Sequence, residues 1–170
     1  YNPNVRTVSL NEDGVSLEEL KESLNKYNHK FFYSVPTFQN PTGITYTNEV
    51  REKIADMIKG KDTFFIEDNP YGELRFRGEH QKSFYSLLGE QAILMGTFSK
   101  TFSPGFRMGW IACGIDEVII KMRHYKQLVD FHTSIFGQMV VAQYLADNDY
   151  DAHIKTITDL YKKQCDCMLE

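Results

Sequence analysis

The sequence predicts an α/β fold in which a mostly parallel sheet is flanked by helices. Short apolar runs, TFFIE at residues 63–67 and AILMGT at residues 92–97, lack polar alternation, as expected of strands buried on both faces. Segments with the apolar spacing of helices alternate with such runs along the chain. The length of 170 residues, with 42% hydrophobic and 25% charged residues, is typical of one soluble domain with a core.

The first third of the chain contains two strand patterns and one helix start. RTVSL, residues 6–10, is expected to form a short strand. Ser16-Leu-Glu-Glu19 is a capping box, and it predicts a helix with apolar residues at helical spacing, namely Leu17, Leu20 and Leu24. KFFYSV, residues 30–35, is rich in aromatic residues and is typical of a strand.

A second helix and a largely helical C-terminal half follow. Thr47 can cap a helix that Gly60 ends, and one face of this helix carries Val50, Ile54, Met57 and Ile58. GWIAC, residues 109–113, follows AILMGT after a short connection without a helical pattern, so we expect it to run antiparallel to that strand. From Asp116 onward the apolar spacing predicts helices.

The charge and cysteine content exclude several classes of protein. The net charge is −4 without a long run of like charges, so neither a nucleic acid nor a membrane is expected as a partner. No apolar run approaches the roughly 18 residues that span a bilayer, and YNPNVRTV has no signal-peptide character. Cys113, Cys165 and Cys167 are an odd number at uneven spacing, which predicts reduced thiols, no metal and a cytoplasmic location.

The two ends of the sequence suggest a piece of a longer protein. The chain starts at Tyr1 rather than at a methionine. A helical pattern still runs where the chain stops, on Ile154, Ile157, Tyr161, Cys165 and Met168. We therefore expect further chain on both sides.

Three loops follow three predicted strands. Ligands of open parallel sheets bind beyond the carboxyl ends of the strands, so these loops are the candidate site. They are PTFQNPTG at residues 36–43, DNPYGE at 68–73 and TFSKTFSPGFR at 97–107. The candidate site residues in these loops are Asn40, Asp68, Tyr71, Thr97, Ser99, Lys100 and Arg107.

These residue types fit the parts of one cofactor, pyridoxal 5'-phosphate. A lysine such as Lys100 can form a Schiff base with an aldehyde. Hydroxyl groups and an arginine, here Arg107, bind phosphate oxygens. Asp68 can pair with the pyridine nitrogen, and Asn40 and Tyr71 suit the ring oxygen.

Each motif alone also has an ordinary structural interpretation. A lysine in a Ser/Thr loop is usually a solvated surface residue, and Asp-Asn-Pro and NPTG are common turns. Their occurrence together, in this order and each at the end of a predicted strand, favours the cofactor site over a purely structural domain.

The motif set resembles the pyridoxal-phosphate-dependent aminotransferases of classes I and II, with fold type I. The matching motifs are Asn40-Pro-Thr-Gly43, Asp68-x-x-Tyr71, Ser99-Lys100 and PGFRMGW with Arg107. FYSVPTFQNPTG and EDNPYGELRF are similar to the branch of 2-aminoadipate and aromatic aminotransferases, which also includes the aminotransferase-like domains of GntR/MocR-type regulators.

The resemblance implies a role for each residue. Lys100 would form the Schiff base and move the proton at the substrate's α-carbon, and Asp68 would pair with the pyridine nitrogen. Asn40 and Tyr71 would donate hydrogen bonds to the ring oxygen. Thr97, Ser99 and Arg107 would bind the phosphate.

The resemblance also implies the domain organisation and the partners. Residues 1–150 would form the central and C-terminal part of the cofactor-binding large domain, and residues 151–170 would begin the helix leading to an absent small domain. The expected reaction is amino-group transfer from an amino acid to a 2-oxo acid in a homodimer, with this piece alone inactive. The alternatives are a pyridoxal-phosphate-dependent lyase and a regulator's effector domain, in which an upstream winged helix would bind nucleic acid.

Overall fold

The computed structural model describes residues 2–170, in which strands and helices alternate before a helical C-terminal half. The strands are β1 (Leu10–Asn11), β2 (Gly14–Val15), β3 (Phe31–Ser34), β4 (Phe64–Asp68), β5 (Ala92–Thr97) and β6 (Gly109–Cys113). The α-helices are α1 (Leu17–Lys26), α2 (Asn48–Ile58), α3 (Phe84–Leu88), α4 (Asp116–Val129), α5 (Ile135–Asp147) and α6 (Tyr150–Leu169). Short 3-10 turns cover Gly72–Leu74, Gly89–Gln91 and Pro104–Phe106.

The main sheet has the strand order β3-β4-β5-β6. β3 pairs with β4, and β4 with β5, in parallel, so the expectation of an α/β fold with a mostly parallel sheet is confirmed. β6 lies beside β5, and the Phe98 amide donates to the Met108 carbonyl (3.0 Å) where their connection begins and ends. This contact agrees with the antiparallel direction predicted for β6.

The strand predicted at residues 6–10 is wrong. Only Leu10 of that range is in a strand, and β1 pairs with β2 in a two-residue antiparallel hairpin. The reason lies at the start of α1. The Ser9 amide donates to the Glu19 carboxylate (2.8 Å) and the Ser9 carbonyl accepts from Ser16 (2.8 Å), so these groups bond to the helix cap rather than to a neighbouring strand.

The helix caps confirm the sequence signals. The Ser16 hydroxyl accepts from the Glu19 amide (3.3 Å), and the Thr47 hydroxyl accepts from the Val50 amide (3.3 Å). Helix α3 was not predicted, because its five residues are too few to show a period. Ser83 caps it, and Gly89, with a φ of +56°, follows it.

The chain divides into two compact units. The first unit holds the residues up to Asn69, Gln81–Met95 and Ala112–Gly114. Its core packs α1, α2 and α3 on the sheet, and the rings of Phe65 and Phe84 stack with centroids 3.7 Å apart. Phe84 also links this core to the carboxyl end of β4, since its amide donates to the Glu67 carboxylate (2.7 Å).

The second unit holds Pro70–His80, Gly96–Ile111 and Ile115–Glu170. Its aromatic cluster joins Phe102 to Tyr144 (ring centroids 4.8 Å apart) and Tyr144 to His153 (5.5 Å). Among the described helices, none is long and apolar enough to cross a membrane.

Candidate active site

Asp68 is the last residue of β4, where the sequence analysis placed the start of a loop. Tyr33 of β3 is opposite Ile66 in the parallel register, so Asp68 lies two residues further along, on the same face of the sheet. The Tyr33 hydroxyl donates to Asp68 Oδ2 at 2.6 Å. This hydrogen bond, aided by partial burial and by the charge of Asp68, raises the pKa of Tyr33 to about 12.

The opposite face of β4 carries a buried ion pair. Glu67 is 0% exposed and accepts from Arg51 Nη1 (3.2 Å) and from the Phe84 amide (2.7 Å). Burial raises the pKa of the Glu67 carboxyl, although the nearby Arg51 charge acts to lower it. The residue before Asp68 is thus held on the core side by a charged donor and by backbone amides of α3.

Arg51 also holds the base of the loop that leads to Asn40. Its guanidinium donates to the Pro36 carbonyl (2.8 Å), the Thr37 hydroxyl (2.7 Å) and the Tyr46 carbonyl (3.0 Å). A guanidinium presents several donors in a rigid plane, so one side chain can satisfy several acceptors. The loop therefore leaves the sheet from a fixed base.

Asn40 lies in an exposed turn that Gln39 closes. The Gln39 side chain accepts from the Thr42 amide (3.0 Å) and hydroxyl (2.6 Å), and the Gly43 amide donates to the Gln39 carbonyl (2.6 Å). The Asn40–Pro41 peptide bond is cis. Gly43 has a φ of +74°, a conformation that favours glycine.

In the second unit, the β5–β6 connection carries four of the predicted residues. Thr97 ends β5, and its hydroxyl donates to the Met108 carbonyl (3.0 Å) and accepts from the Ser99 amide (3.1 Å). The Thr97 hydroxyl therefore shapes this loop. Arg107 adopts a left-handed conformation (φ 53°, ψ 42°) and donates to the Pro104 carbonyl (3.2 Å).

Lys100 and Arg107 are two cations on this one loop. The Lys100 amine lies 5.7 Å from the centroid of the Tyr71 ring. Both cations are exposed, and neither makes an ion pair with any of residues 2–170. Two uncompensated positive charges with hydroxyl groups between them form an arrangement that suits an anion.

The structure distributes the seven predicted residues over both units. Asn40 and Asp68 belong to the first unit. Tyr71, Thr97, Ser99, Lys100 and Arg107 belong to the second unit, in which Lys100 approaches Tyr71 and Thr97 bonds to Ser99.

Sequence reasoning missed three residues that support the predicted ones. Tyr33 binds Asp68, Arg51 holds Glu67, and His153 Nε2 lies 2.9 Å from the carbonyl of Thr101, next to Lys100. Only Arg51 left a signal, since it stands on the apolar face of α2 between Val50 and Ile54, where an arginine implies a buried acid.

Comparison with protein families decides the assignment. A family model described as aminotransferase class I and II matches residues 3–169. The chain belongs to the class I and II aminotransferase family. The family resemblance seen in the sequence motifs is thereby confirmed for nearly the whole chain.

Individual relatives cover this chain almost end to end. It is 37% identical to aromatic-amino-acid aminotransferase 1 of Thermococcus litoralis, over 100% of the chain and 42% of that protein. It matches crystalline LysN, the α-aminoadipate aminotransferase of Thermus thermophilus complexed with N-(5'-phosphopyridoxyl)-L-leucine, with a TM-score of 0.90 and 30% identity over 96% of the chain and 43% of LysN. The HTH-type transcriptional regulator YisV of Bacillus subtilis, itself uncharacterized, is 30% identical over 95% of the chain and 34% of its own length. The chain therefore spans less than half the length of each of these proteins.

Proposed function

We propose that the protein containing this chain is a pyridoxal-phosphate-dependent aminotransferase, which passes an amino group from an amino acid to a 2-oxo acid. The observation that carries the proposal is the loop between β5 and β6. It presents Lys100 and Arg107 without an ion pair to any described residue, together with the hydroxyl groups of Thr97 and Ser99. A phosphate and an aldehyde are the groups that such a loop suits.

The residues fit the cofactor by their chemistry. Arg107 and Ser99 would bind the phosphate, and Thr97 would join them by turning its one hydroxyl proton from the Met108 carbonyl toward a phosphate oxygen. The Lys100 amine would attach to the aldehyde carbon. Asp68 would bind the pyridine nitrogen, while Asn40 and Tyr71 would donate to the ring oxygen. When bound, pyridoxal phosphate supplies an electron-withdrawing ring that stabilises negative charge at the substrate's α-carbon.

The chain's own residues would then perform two tasks. The Asp68 carboxylate holds a proton at the pyridine nitrogen, because a negative charge at hydrogen-bond distance favours the protonated ring. The Lys100 amine, released when the substrate's amino group takes its place on the aldehyde carbon, would accept the proton from the substrate's α-carbon and deliver it to that aldehyde carbon, as a positioned general base and acid does.

A homodimer is part of the proposal. The end of α4 and the start of α5 expose a run of large apolar side chains, here named the α4–α5 apolar surface: Tyr125, Leu128, Val129, Phe131, Ile135, Phe136 and Met139. Leu128 is 85% exposed and Phe131 78% exposed. An apolar surface of this kind is typical of a protein–protein interface, and a second copy is the partner that the family resemblance implies.

The test is amino-group exchange in the protein loaded with pyridoxal phosphate. We expect 2-oxo acid formation from amino acids, matched by amination of an added 2-oxo acid. Borohydride reduction followed by peptide mapping should place the pyridoxyl group on Lys100. A label on Lys121 or Lys126 instead, both on α4, would overturn the assignment of Lys100.

The same assay separates the two alternatives. Release of ammonia without amination of the 2-oxo acid would indicate a lyase. Cofactor binding without turnover, combined with binding to double-stranded DNA, would indicate a transcriptional regulator. Either result would replace the aminotransferase proposal.

A further inference from the structure

The Asp68 carboxylate has a single donor in the part of the chain that the structure describes. Tyr33 donates to Asp68 Oδ2 at 2.6 Å, and within residues 2–170 the carboxylate has no second hydrogen-bond donor and no ion pair. The parallel register creates this contact, because Tyr33 is opposite Ile66 and Asp68 follows two residues later on the same face.

The residues on both sides of Asp68 are fixed by hydrogen bonds. No backbone amide donates to the Asp68 carboxylate within residues 2–170. Glu67, on the other face of β4, is bonded to Arg51 and to the Phe84 amide. On the other side of Asp68 along the chain, the Asn69 amide donates to the Met95 carbonyl (2.9 Å). The terminal torsion of an aspartate is broad, so without a side-chain donor the carboxylate could rotate freely.

The phenol stays a donor over the working pH range. A hydrogen bond to a carboxylate favours the protonated phenol, and the pKa of Tyr33 is accordingly raised to about 12. Tyr33 is 50% exposed, so packing alone does not explain its position.

We propose that Tyr33 is a positioning residue, which holds Asp68 by Oδ2 and leaves Oδ1 to accept a hydrogen bond from the protonated pyridine nitrogen of the cofactor. This inference rests on the proposed function, since it concerns the same carboxylate. Tyr33 does not touch the reacting atoms, and it acts on them only through Asp68.

The test compares two cofactors in three proteins. Dissociation constants are measured for pyridoxal phosphate and for the analogue in which CH replaces the pyridine nitrogen, with the wild type, Tyr33→Phe and the control Tyr27→Phe. A well-placed carboxylate favours the nitrogen-containing cofactor. We expect the preference to fall about tenfold in Tyr33→Phe, the scale of one lost hydrogen bond to a charged group, and to stay unchanged in Tyr27→Phe. If Tyr33→Phe weakened the binding of both cofactors equally, Tyr33 would have a merely structural role and the inference would be overturned.

A second comparison uses Asp68→Ala as the background. There, Tyr33→Phe should leave the preference between the two cofactors unchanged, because its effect passes through the missing carboxylate. If the wild type binds no cofactor, or binds both equally, the proposed function fails. If Asp68→Ala changes the preference and Tyr33→Phe does not, only the role of Tyr33 fails.

Discussion

Asp68 combines a backbone position fixed by the sheet with a carboxylate held by one phenol. Its expected work is electrostatic, since a carboxylate beside the pyridine nitrogen keeps that nitrogen protonated. Binding of the cofactor depends on other groups as well, chiefly those on the β5–β6 connection. Loss of the charge at Asp68 should therefore affect turnover more than cofactor retention.

Asp68→Asn tests this separation at the scale of one residue. The amide can still hydrogen-bond, but it has no negative charge to stabilise the proton on the ring. We expect a fall of about a hundredfold or more in kcat, the usual scale for a group that acts electrostatically on the transition state. Cofactor content, measured in parallel, should change much less. Wild-type turnover in Asp68→Asn would contradict the electrostatic role of Asp68. The matched control is Asp62→Asn, which makes the same change in the exposed Lys30–Asp62 pair.

At the scale of elements, the Arg51–Glu67 pair joins α2 to β4 inside the core. Arg51 and Glu67 are each 1% exposed as side chains. Removing one partner of a buried pair leaves an uncompensated charge and costs about 3–5 kcal/mol. The loop before Asn40 would also lose its bonds from Arg51 to Pro36 and Thr37.

Arg51→Met should destabilise the protein more at high pH than at low pH. Burial raises the pKa of Glu67, and the loss of Arg51 removes an opposing influence and raises it further. A raised carboxyl pKa gives stability that is fully present below the unfolded value of 4.5 and is lost as the pH rises through the folded value. Urea unfolding at about pH 5 and about pH 8 measures the difference. The double variant Arg51→Met/Glu67→Gln should lose this extra pH dependence, and its persistence would contradict the explanation.

The close contact between Gly96 on β5 and Trp110 on β6 gives a second prediction about the packing of secondary-structure elements. A Cβ added at Gly96 would clash with the indole ring of Trp110 on β6. Gly96→Ala should therefore lower the free energy of unfolding by about 1–3 kcal/mol. Gly105→Ala is the control, since its added Cβ would meet nothing nearer than Ser103 Oγ at 3.7 Å.

A compensating change makes the Gly96 prediction specific. Trp110→Leu removes the ring that the new methyl group would meet, so Gly96→Ala should cost less in that background than in the wild type. If Gly96→Ala lowered the free energy of unfolding equally in both backgrounds, the contact with Trp110 would not be the cause of the destabilisation. Denaturant unfolding is monitored by circular dichroism, which does not depend on the tryptophan, for the wild type, Gly96→Ala, Trp110→Leu and the double variant.

The elements that the sequence predicted correctly are those with a long or unambiguous pattern. β5 was predicted at its observed bounds, Ala92–Thr97, because a buried strand between polar turns has clear ends. Residues 6–9 do not form the predicted strand, and at the end of that range the backbone of Ser9 bonds to Ser16 and Glu19 at the cap of α1 instead of to a neighbouring strand. Helix α3 was missed because one turn has no period.

Within the candidate site, the sequence indicated the loop residues whose side chains suit the cofactor. It did not indicate the residues that hydrogen-bond to those side chains and hold them in place. Tyr33 lies in the middle of an aromatic strand, and only the pairing register of β3 with β4 brings its hydroxyl to Asp68. Parallel strands are joined through a crossover connection rather than a tight turn, so the pattern of β3 alone does not give its pairing register with β4. The roles of the seven predicted residues remain predictions.

At the scale of the whole molecule, the α4–α5 apolar surface should govern the oligomeric state. We expect the protein to sediment as a dimer and Phe136→Glu to shift it toward the monomer, because a charge at an apolar interface is costly to bury. Leu160→Glu is the control, as it places the same charge at a 54% exposed leucine on α6. A wild-type monomer, or equal effects of both variants in analytical ultracentrifugation, would contradict the assignment of this surface.

The hydrogen bond between Phe98 and Met108 has a consequence for variation in chain length. It closes the connection that carries Lys100 and Arg107, so one added residue between them would displace one cation relative to the other. Gly78, Glu79 and His80 are exposed and outside any helix or strand, and an extra residue there leaves that connection unchanged. In a library of single-codon insertions, variants that still load pyridoxal phosphate should carry the added codon at 78–80 and not at 99–107.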